Sequence, residues 1–194
     1  EEADGTIWCG LDGSGVVRLG ASGAQQLRAA DGLAGDHVRA LLAEADGTVW
    51  IGTRGGLTRF RSGRLATITT RPGLPSNVLC QILDDGKGHL WFGSLGGIFR
   101  VAKAELNRCA EGELAAVQCV VCDLTSGLAT LEMSEQGQPG GCRSHDGRLW
   151  FATDEGLSAL EGARWSLFAE QPALRGPVLA LAGRDRVLAR PDRG

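Results

Sequence analysis

The chain has 194 residues and a net charge of −3, with 20 Lys and Arg against 23 Asp and Glu. Its 43% hydrophobic and 22% charged residues exclude a disordered chain, and its length suits one domain with a hydrophobic core. No apolar run approaches the roughly 20 residues of a membrane span, and no Lys/Arg cluster interleaved with aromatic residues predicts a nucleic-acid groove. The 30 glycines, about twice the ordinary share, predict many tight turns.

A tryptophan motif recurs along the chain and defines a repeat. An acidic-Gly or Gly-rich turn and two further residues precede each Trp, and a Gly-Gly-Leu or similar turn follows it. The tryptophans of the motif are Trp8, Trp50, Trp91 and Trp150. Their spacings are 42, 41 and 59 residues, and a period near 42 is typical of a propeller blade with four strands.

The second repeat predicts four short strands separated by glycine turns. We expect strand A over 38–44, strand B over 48–53, strand C over 57–61 and strand D over 64–70. Asp46-Gly47 is a tight hairpin turn between strands A and B, because Gly takes the positive φ that such a turn requires. The fold class is therefore an all-β propeller, or part of one, with about four four-stranded antiparallel blades.

We expect the whole chain, 1–194, to be one propeller segment. The repeats are approximately 1–37, which lacks its strand A, 38–77, 78–131 with an insertion, and 132–177. Residues 178–194 are either a partial blade strand or a linker to a downstream domain that this sequence does not contain. In a further alternative, strand 178–182 pairs with the first repeat and closes a four-bladed ring. The start inside a repeat, without Met, predicts a piece of a longer protein.

The third repeat contains the insertion, about 17 residues between its strands C and the next strand A. We expect a surface helix within 102–113 and a long Gly-rich loop over 135–141. Insertions of this kind often build the binding surface of a repeat array.

Most of the conspicuous side chains have a structural interpretation. The four repeat tryptophans predict packing between adjacent blades, and the repeated Asp-Gly pairs predict turns rather than calcium loops. The six cysteines, including the Cys119 to Cys122 pair, predict mostly buried thiols, with one disulfide allowed if the domain is exported. No catalytic residue, metal ligand or cofactor site is expected.

Ligand contacts are expected on one face of the propeller. In a four-stranded meander the D-to-A and B-to-C connections share a face, and their residues vary between repeats, whereas the A-to-B turns are uniform. Variable residues around a central channel suit recognition. The candidate ligand-binding residues are Asp36, His37, Arg54, Asn77, Leu95, Glu132, Asp154 and Glu155, of which Asn77 has the alternative role of capping its loop.

The motifs together resemble the two-component regulator propeller repeat. The resemblance covers roughly residues 4–160. It rests on the loop Gly73-Leu74-Pro75-Ser76-Asn77-Val78, the acidic-Gly turn, and the Leu-Trp-x-Gly and Gly-Gly-Ile elements around Trp91. Members of this family form the periplasmic sensor regions of bacterial hybrid two-component systems, sensor histidine kinases and related regulators. They usually carry seven blades, then a β-sandwich with three tyrosines and a transmembrane helix, and this chain contains no Tyr.

The resemblance implies a periplasmic module that binds a small molecule or an oligosaccharide and signals through missing sandwich, transmembrane and kinase regions. It implies no catalytic activity in this chain, although the parent protein would carry a kinase. A homodimer is a further expected partnership, and nucleic acid is not expected. The alternatives are a propeller scaffold for protein partners, with an apolar patch on its rim, and an enzyme similar to streptogramin lyases, with a His and acid cluster at the channel mouth.

Overall fold

The structure is a computed structural model that describes residues 1–128, 130–134, 139–161 and 164–167. Over these residues the chain forms fifteen β-strands, one α-helix and two 3-10 helices, Ala29–Asp31 and Leu124–Ser126. The strands are β1 (Ile7–Gly10), β2 (Val16–Gly20), β3 (Gly23–Leu27), β4 (Val38–Ala43), β5 (Val49–Thr53), β6 (Leu57–Arg61), β7 (Arg64–Ile68), β8 (Leu79–Asp84), β9 (His89–Ser94), β10 (Gly97–Ala102), β11 (Cys119–Cys122), β12 (Gly141–Arg143), β13 (Leu149–Thr153), β14 (Gly156–Glu161) and β15 (Arg164–Leu167). The helix α1 is Lys103–Ala110.

Each repeat folds into one antiparallel meander. Within the described residues the sheet orders are β1-β2-β3, β4-β5-β6-β7, β8-β9-β10-β11 and β12-β13-β14-β15, so this part of the chain gives the first blade three strands and the other three blades four. The prediction of an all-β propeller with about four blades is confirmed. The predicted strand C over 57–61 coincides with β6, and the other three predicted strands of that repeat differ by at most two residues at either end.

The repeat tryptophans join neighbouring blades. Trp8 packs against Val49, Ile51 and Phe60 of the second blade, and the Trp8 and Phe60 rings meet edge to face at 4.8 Å. Trp50 packs in the same way against the third blade, and Trp91 against the fourth. These three indoles are buried, as predicted, whereas Trp150 is half-buried.

Each indole N–H also has an acceptor six residues earlier in the chain. The acceptors are Glu2 for Trp8 at 2.7 Å, Glu44 for Trp50 at 2.7 Å, Asp85 for Trp91 at 3.3 Å and Ser144 for Trp150 at 3.0 Å. The acceptor lies before the A-to-B turn and the Trp lies after it, so each bond links the two sides of that turn. A buried indole N–H without a partner would be costly, which gives this spacing a physical reason.

The repeated carboxylates form turns, as expected. Asp4, Asp46 and Asp146 each accept a hydrogen bond from the backbone N–H two residues later, at 2.9, 3.0 and 3.2 Å. The following glycines have φ between 81° and 85°. On the opposite side of the blades, Gly55 lies so close to the backbone oxygen of Ala34 that a Cβ there would collide with it. The two glycine positions thus serve different needs, left-handed backbone at one and close chain approach at the other.

The insertion of the third repeat lies partly between β10 and β11 and partly within strand A of the fourth blade. Sixteen residues, including α1, connect β10 to β11, where two residues connect β6 to β7. The predicted surface helix over 102–113 is therefore confirmed, with narrower bounds. It lies beside the A-to-B and C-to-D turns, on the face opposite the D-to-A loops, so it does not extend the expected binding surface.

The helix α1 holds the second and third blades together. Its Leu106 is fully buried in their shared core. At its start, the Nζ of Lys103 bonds to Glu44 of the second blade and to Asp84 of the third, at 2.5 and 2.7 Å. Burial alone would lower the pKa of Lys103, but the bonds with Asp84 and Glu44 outweigh it and raise the pKa. Near its end, Glu111 pairs with the buried Arg59 at 3.0 Å.

None of the six cysteines forms a disulfide. Cys80 and Cys122 are buried and three others are half-buried, in line with the prediction, but Cys9 is exposed. Cys9 lies on the face of blade 1 that points away from blade 2, which explains its exposure. Burial, together with the charge of Glu105, raises the pKa of Cys119 to about 11.

Part of the expected structure lies outside the described residues. The predicted strand over 178–182 and its alternatives belong there, as do residues 135–138 of the Gly-rich loop. Among the residues that are described, α1 is too short to cross a membrane, and no other helix is long and apolar enough.

Candidate functional site

The B-to-C turns and D-to-A loops meet on one side of the blades, which we call the variable face. It comprises the connections 11–15, 28–37, 54–56, 69–78, 95–96, 123–128, 130–132 and 154–155. Backbone hydrogen bonds join them: Gly15 N–H to Asp36 O at 2.8 Å, Arg54 N–H to His37 O at 3.1 Å, and Asp154 N–H to Glu132 O at 3.1 Å. The two kinds of connection therefore share a face, as the meander topology predicts.

Two of the candidate residues are used inside their own loops. Asp36 Oδ1 accepts from the Ala29 N–H at 2.7 Å, and Asn77 Oδ1 accepts from the Thr70 N–H at 2.8 Å. The capping role considered for Asn77 is thus present, and Asp36 has the same one. These two side chains shape the D-to-A loops, which leaves six candidates for direct contact with a ligand.

Charged side chains gather where the first and second blades meet. His37 Nδ1 lies 2.7 Å from Asp12 Oδ1, and Arg39 Nη2 lies 3.6 Å from the same oxygen. The His37 hydrogen bond, followed by the charge of Arg39 and more weakly by that of Arg54, holds the pKa of Asp12 below its usual value. His37 and Asp12 remain exposed, with 51% and 69% of their side-chain surfaces in solvent. Candidates His37 and Arg54 are therefore brought together.

Arg39 and Asp12 are members of this cluster that the sequence did not predict. Arg39 lies where the pairing of β4 with β5 shifts by one residue, between Val38 and Ala40. A β-bulge re-aims the side chain of its extra residue, so a position that strand alternation would assign to one side reaches the Asp12 carboxylate instead. Cys80 occupies the same shift in β8. The signal in the sequence is that Asp12 and Arg54 each lie four residues after a repeat tryptophan, Trp8 and Trp50.

The third blade presents an apolar side chain at the position that is charged in its neighbours. Leu95 directly follows strand β9 and is 52% exposed. Val78, which directly precedes β8, is half-buried, and Cys80 is buried. Candidate Leu95 thus lies on the variable face as an exposed aliphatic group.

The fourth blade presents carboxylates. Glu132 directly precedes the Met133–Thr153 bridge that begins its strand A pairing, and Asp154 directly follows Thr153. Glu132, Asp154 and Glu155 are all exposed. After Met133, the pairing of strand A with β13 resumes only at Gly141. The second part of the insertion therefore interrupts strand A where the second and third blades have a one-residue bulge. These three candidates are therefore neighbours.

A groove of about 440 Å³ lies on the opposite face, between the first two blades. Its walls include Glu2, Arg18, Asp46 and Phe60, and the Arg18 guanidinium lies 5.8 Å from the Phe60 ring centre. Glu2 and Asp46 already accept hydrogen bonds from Trp8 and from the Asp-Gly turn. The carboxylates of this groove thus have structural partners, and the sequence did not predict the groove.

Within the described residues, no three side chains of His, Cys, Asp and Glu converge as metal ligands do. The side chains of the variable face offer charge, hydrogen bonds and apolar contact.

Comparison with known proteins agrees with this architecture. Residues 32–55, which include the loop before β4, β4 itself and β5, match the family model of the two component regulator propeller. The chain thus carries a repeat of this type, and the resemblance predicted from its motifs is confirmed. A search of curated proteins finds no match.

Solved structures share the fold at low sequence identity. An extracellular domain described as part of a hybrid two component system from B. thetaiotaomicron is 19% identical, with a TM-score of 0.69 over 91% of this chain and 23% of that one. An extracellular domain described as part of a one component system from the same organism is 18% identical, with a TM-score of 0.71 over 89% and 25%. The chain thus spans about a quarter of the length of these neighbours.

An enzyme is also among the structural neighbours. An inactive variant of virginiamycin B lyase from Staphylococcus aureus is 14% identical, with a TM-score of 0.57 over 87% of this chain and 53% of the lyase. At these identities the likeness concerns the propeller fold alone.

Proposed function

We propose that the chain is the ligand-binding propeller module of a bacterial two-component signalling protein, located in the periplasm, and that it recognises a small molecule or an oligosaccharide without catalysing a reaction. The two component regulator propeller repeat at residues 32–55 supports the signalling context. The extracellular domains among the structural neighbours support the location. The remaining regions of such a protein would carry the signal across the membrane.

One observation carries the proposal: equivalent positions repeat on one face of the blades and differ on the other. The residue four positions after the repeat Trp is Asp12, Arg54, Leu95 and Asp154 in successive blades, whereas the opposite face repeats the Asp-Gly turn in three of the four blades. A purely structural face would favour one side chain that suits the turn, as the Asp-Gly face does. Varied, exposed side chains on a rigid scaffold suit a binding surface.

The proposal is tested by thermal unfolding of the purified chain against a panel of oligosaccharides and small metabolites. A ligand that binds only the folded state raises the melting temperature, by an amount set by its concentration relative to its Kd. The variant Arg54→Gln should reduce the shift, and Arg61→Gln, on the opposite face, should leave it unchanged. If no compound shifts the melting temperature, or if both variants act alike, the proposal fails.

A scaffold for protein partners is the second candidate, because the outer edge of the third blade is apolar. Val120 and Val121 of the edge strand β11 and the nearby Leu124 are 52%, 45% and 57% exposed. A partner strand could pair with such an edge. Replacing Val120 by Lys should abolish capture of that partner and leave small-molecule binding intact. Capture that survives this replacement would contradict the scaffold.

A further inference from the structure

The variable face has three chemically different sectors, one on each of three successive blades. Two structural positions define the sectors. One is the residue just before the first residue of strand A that pairs with strand B, and the other is the residue just after strand B. The corresponding pairs Val38–Thr53, Leu79–Ser94 and Met133–Thr153 place these positions in the same register in each blade. Side chains at equivalent positions can therefore be compared directly.

The second blade forms a basic sector. His37 and Arg54 occupy the two positions, and the bulge adds Arg39. Asp12 of the first blade lies beside His37 and Arg39, at 2.7 and 3.6 Å, and the charge of Arg54 also acts on it, so positive groups outnumber this carboxylate. Guanidinium groups bind carboxylates through parallel hydrogen bonds, so this sector suits an anionic end group.

The third blade forms an apolar sector. Val78 and Leu95 occupy the same two positions, and Leu95 exposes 52% of its surface. An exposed Leu taken alone is ordinary, but here it stands where the neighbouring blades have charged residues. This sector suits an aliphatic body rather than a sugar ring rich in hydroxyl groups.

The fourth blade forms an acidic sector. Glu132 and Asp154 occupy the two positions, and Glu155 extends the turn. The Asp154 N–H to Glu132 O bond holds the two backbones together, as the Arg54 to His37 bond does in the second blade. Three acidic residues on adjoining stretches of backbone suit an ammonium group.

We infer that the ligand is a linear zwitterion with an apolar middle, of the size of a peptide of about five residues, whose carboxylate lies on the second blade and whose ammonium group lies on the fourth. This inference rests on the proposed function and names its ligand class. Packed sheets lie about 10 Å apart, so two blade steps span about 20 Å or somewhat less toward the channel axis. About five extended residues, at roughly 3.4 Å each, cover that distance.

The test uses the whole chain and four forms of one probe pentapeptide, Gly-Leu-Ser-Leu-Gly: with free termini, acetylated, amidated, and capped at both ends. Isothermal titration calorimetry up to millimolar peptide measures each Kd. Because each cap removes one charged contact, each single cap should weaken binding about ten-fold, and the double cap should weaken it further. Higher salt should weaken only the forms that keep a charged end.

Variants assign each end to its sector. Arg54→Gln should make the amide cap inconsequential while the acetyl cap still matters, and Asp154→Asn with Glu155→Gln should do the reverse. All of these residues are exposed turn residues, so unchanged melting temperatures exclude unfolding as the cause. Asp46→Asn, on the opposite face, is the matched control and should change none of the four Kd values.

The outcomes distinguish failure of the zwitterion inference from failure of the proposed ligand-binding function. If the free pentapeptide does not bind, if caps have no effect, or if the two variants exchange their effects, the zwitterion inference is overturned. A neutral oligosaccharide that binds in its place, with the sensitivity to Arg54→Gln described above, would leave the proposed function standing. Absence of any ligand would remove both.

Discussion

Replacement of Trp50 by Ala tests the account of how the blades hold together. The indole is fully buried between the second and third blades, and its N–H donates to the Glu44 carboxylate at 2.7 Å. Truncating a buried Trp to Ala costs about 3–5 kcal/mol, and loss of a donor to a charged acceptor adds about 1 kcal/mol or more. For a chain of this length about 4–6 kcal/mol corresponds to a fall in Tm of roughly 10–20 °C.

The matched control is Trp150→Ala, at the equivalent position of the fourth blade. Trp150 is half-buried and its N–H donates to the neutral hydroxyl of Ser144 at 3.0 Å, so we expect about half the loss. Urea denaturation followed by far-ultraviolet circular dichroism gives both free energies of unfolding. Equal losses, or a loss below about 1 kcal/mol for Trp50→Ala, would refute the argument that these indoles contribute through burial between blades.

Three further predictions concern the turns, the helix and the thiols. Gly55→Ala should destabilise the chain by about 2 kcal/mol, because the added Cβ would collide with backbone atoms. Gly5→Ala should cost only about 1 kcal/mol, because the residue has a left-handed φ of 82° but open space around it. Thermal unfolding should therefore give a larger fall in melting temperature for Gly55→Ala than for Gly5→Ala. The raised pKa of Lys103 means that its ammonium group stabilises the fold below the unfolded-state pKa of about 10.4, and that this stabilisation is lost as pH rises through the higher folded-state pKa. Urea unfolding from pH 8 to 11.5 should show a fall in the free energy of unfolding that is shallower in Lys103→Met. At pH 8, iodoacetamide should modify the exposed Cys9 well before Cys119, because a pKa of about 11 leaves about one Cys119 thiol in a thousand as thiolate. Equal alkylation rates of the two thiols, measured by peptide mass spectrometry, would contradict this.

Most of the fold could be predicted because the blade is a local structure. The Asp-Gly turns, the Gly-Gly turns and the alternating residues around Trp50 each act within about ten residues, so the strands β4 to β7 were predicted to within two residues. The place of the insertion was harder to predict. A helix over 102–113 was expected, but only the paired strands β10 and β11 show that it lies on the face opposite the D-to-A loops.

The candidate site could be predicted only where topology alone decides. Antiparallel meanders place the two kinds of connection on one side, so His37 and Arg54 were expected on the same face, and the structure makes them neighbours. The participation of Arg39 depends on a register shift, and that of Asp12 on how the first blade packs against the second. Neither the bulge nor the packing leaves a pattern in the local sequence.

The sequence by itself determined the repeat, the four blades and the face with variable connections, because turn chemistry and strand alternation act between near neighbours. The tertiary structure decided which residues of different blades meet: the Asp12 carboxylate with His37 and Arg39, and α1 with two blades at once. Such contacts join residues from 19 to 59 positions apart in sequence, and their geometry depends on the packing angle between sheets. That angle emerges from the whole core and from no single segment.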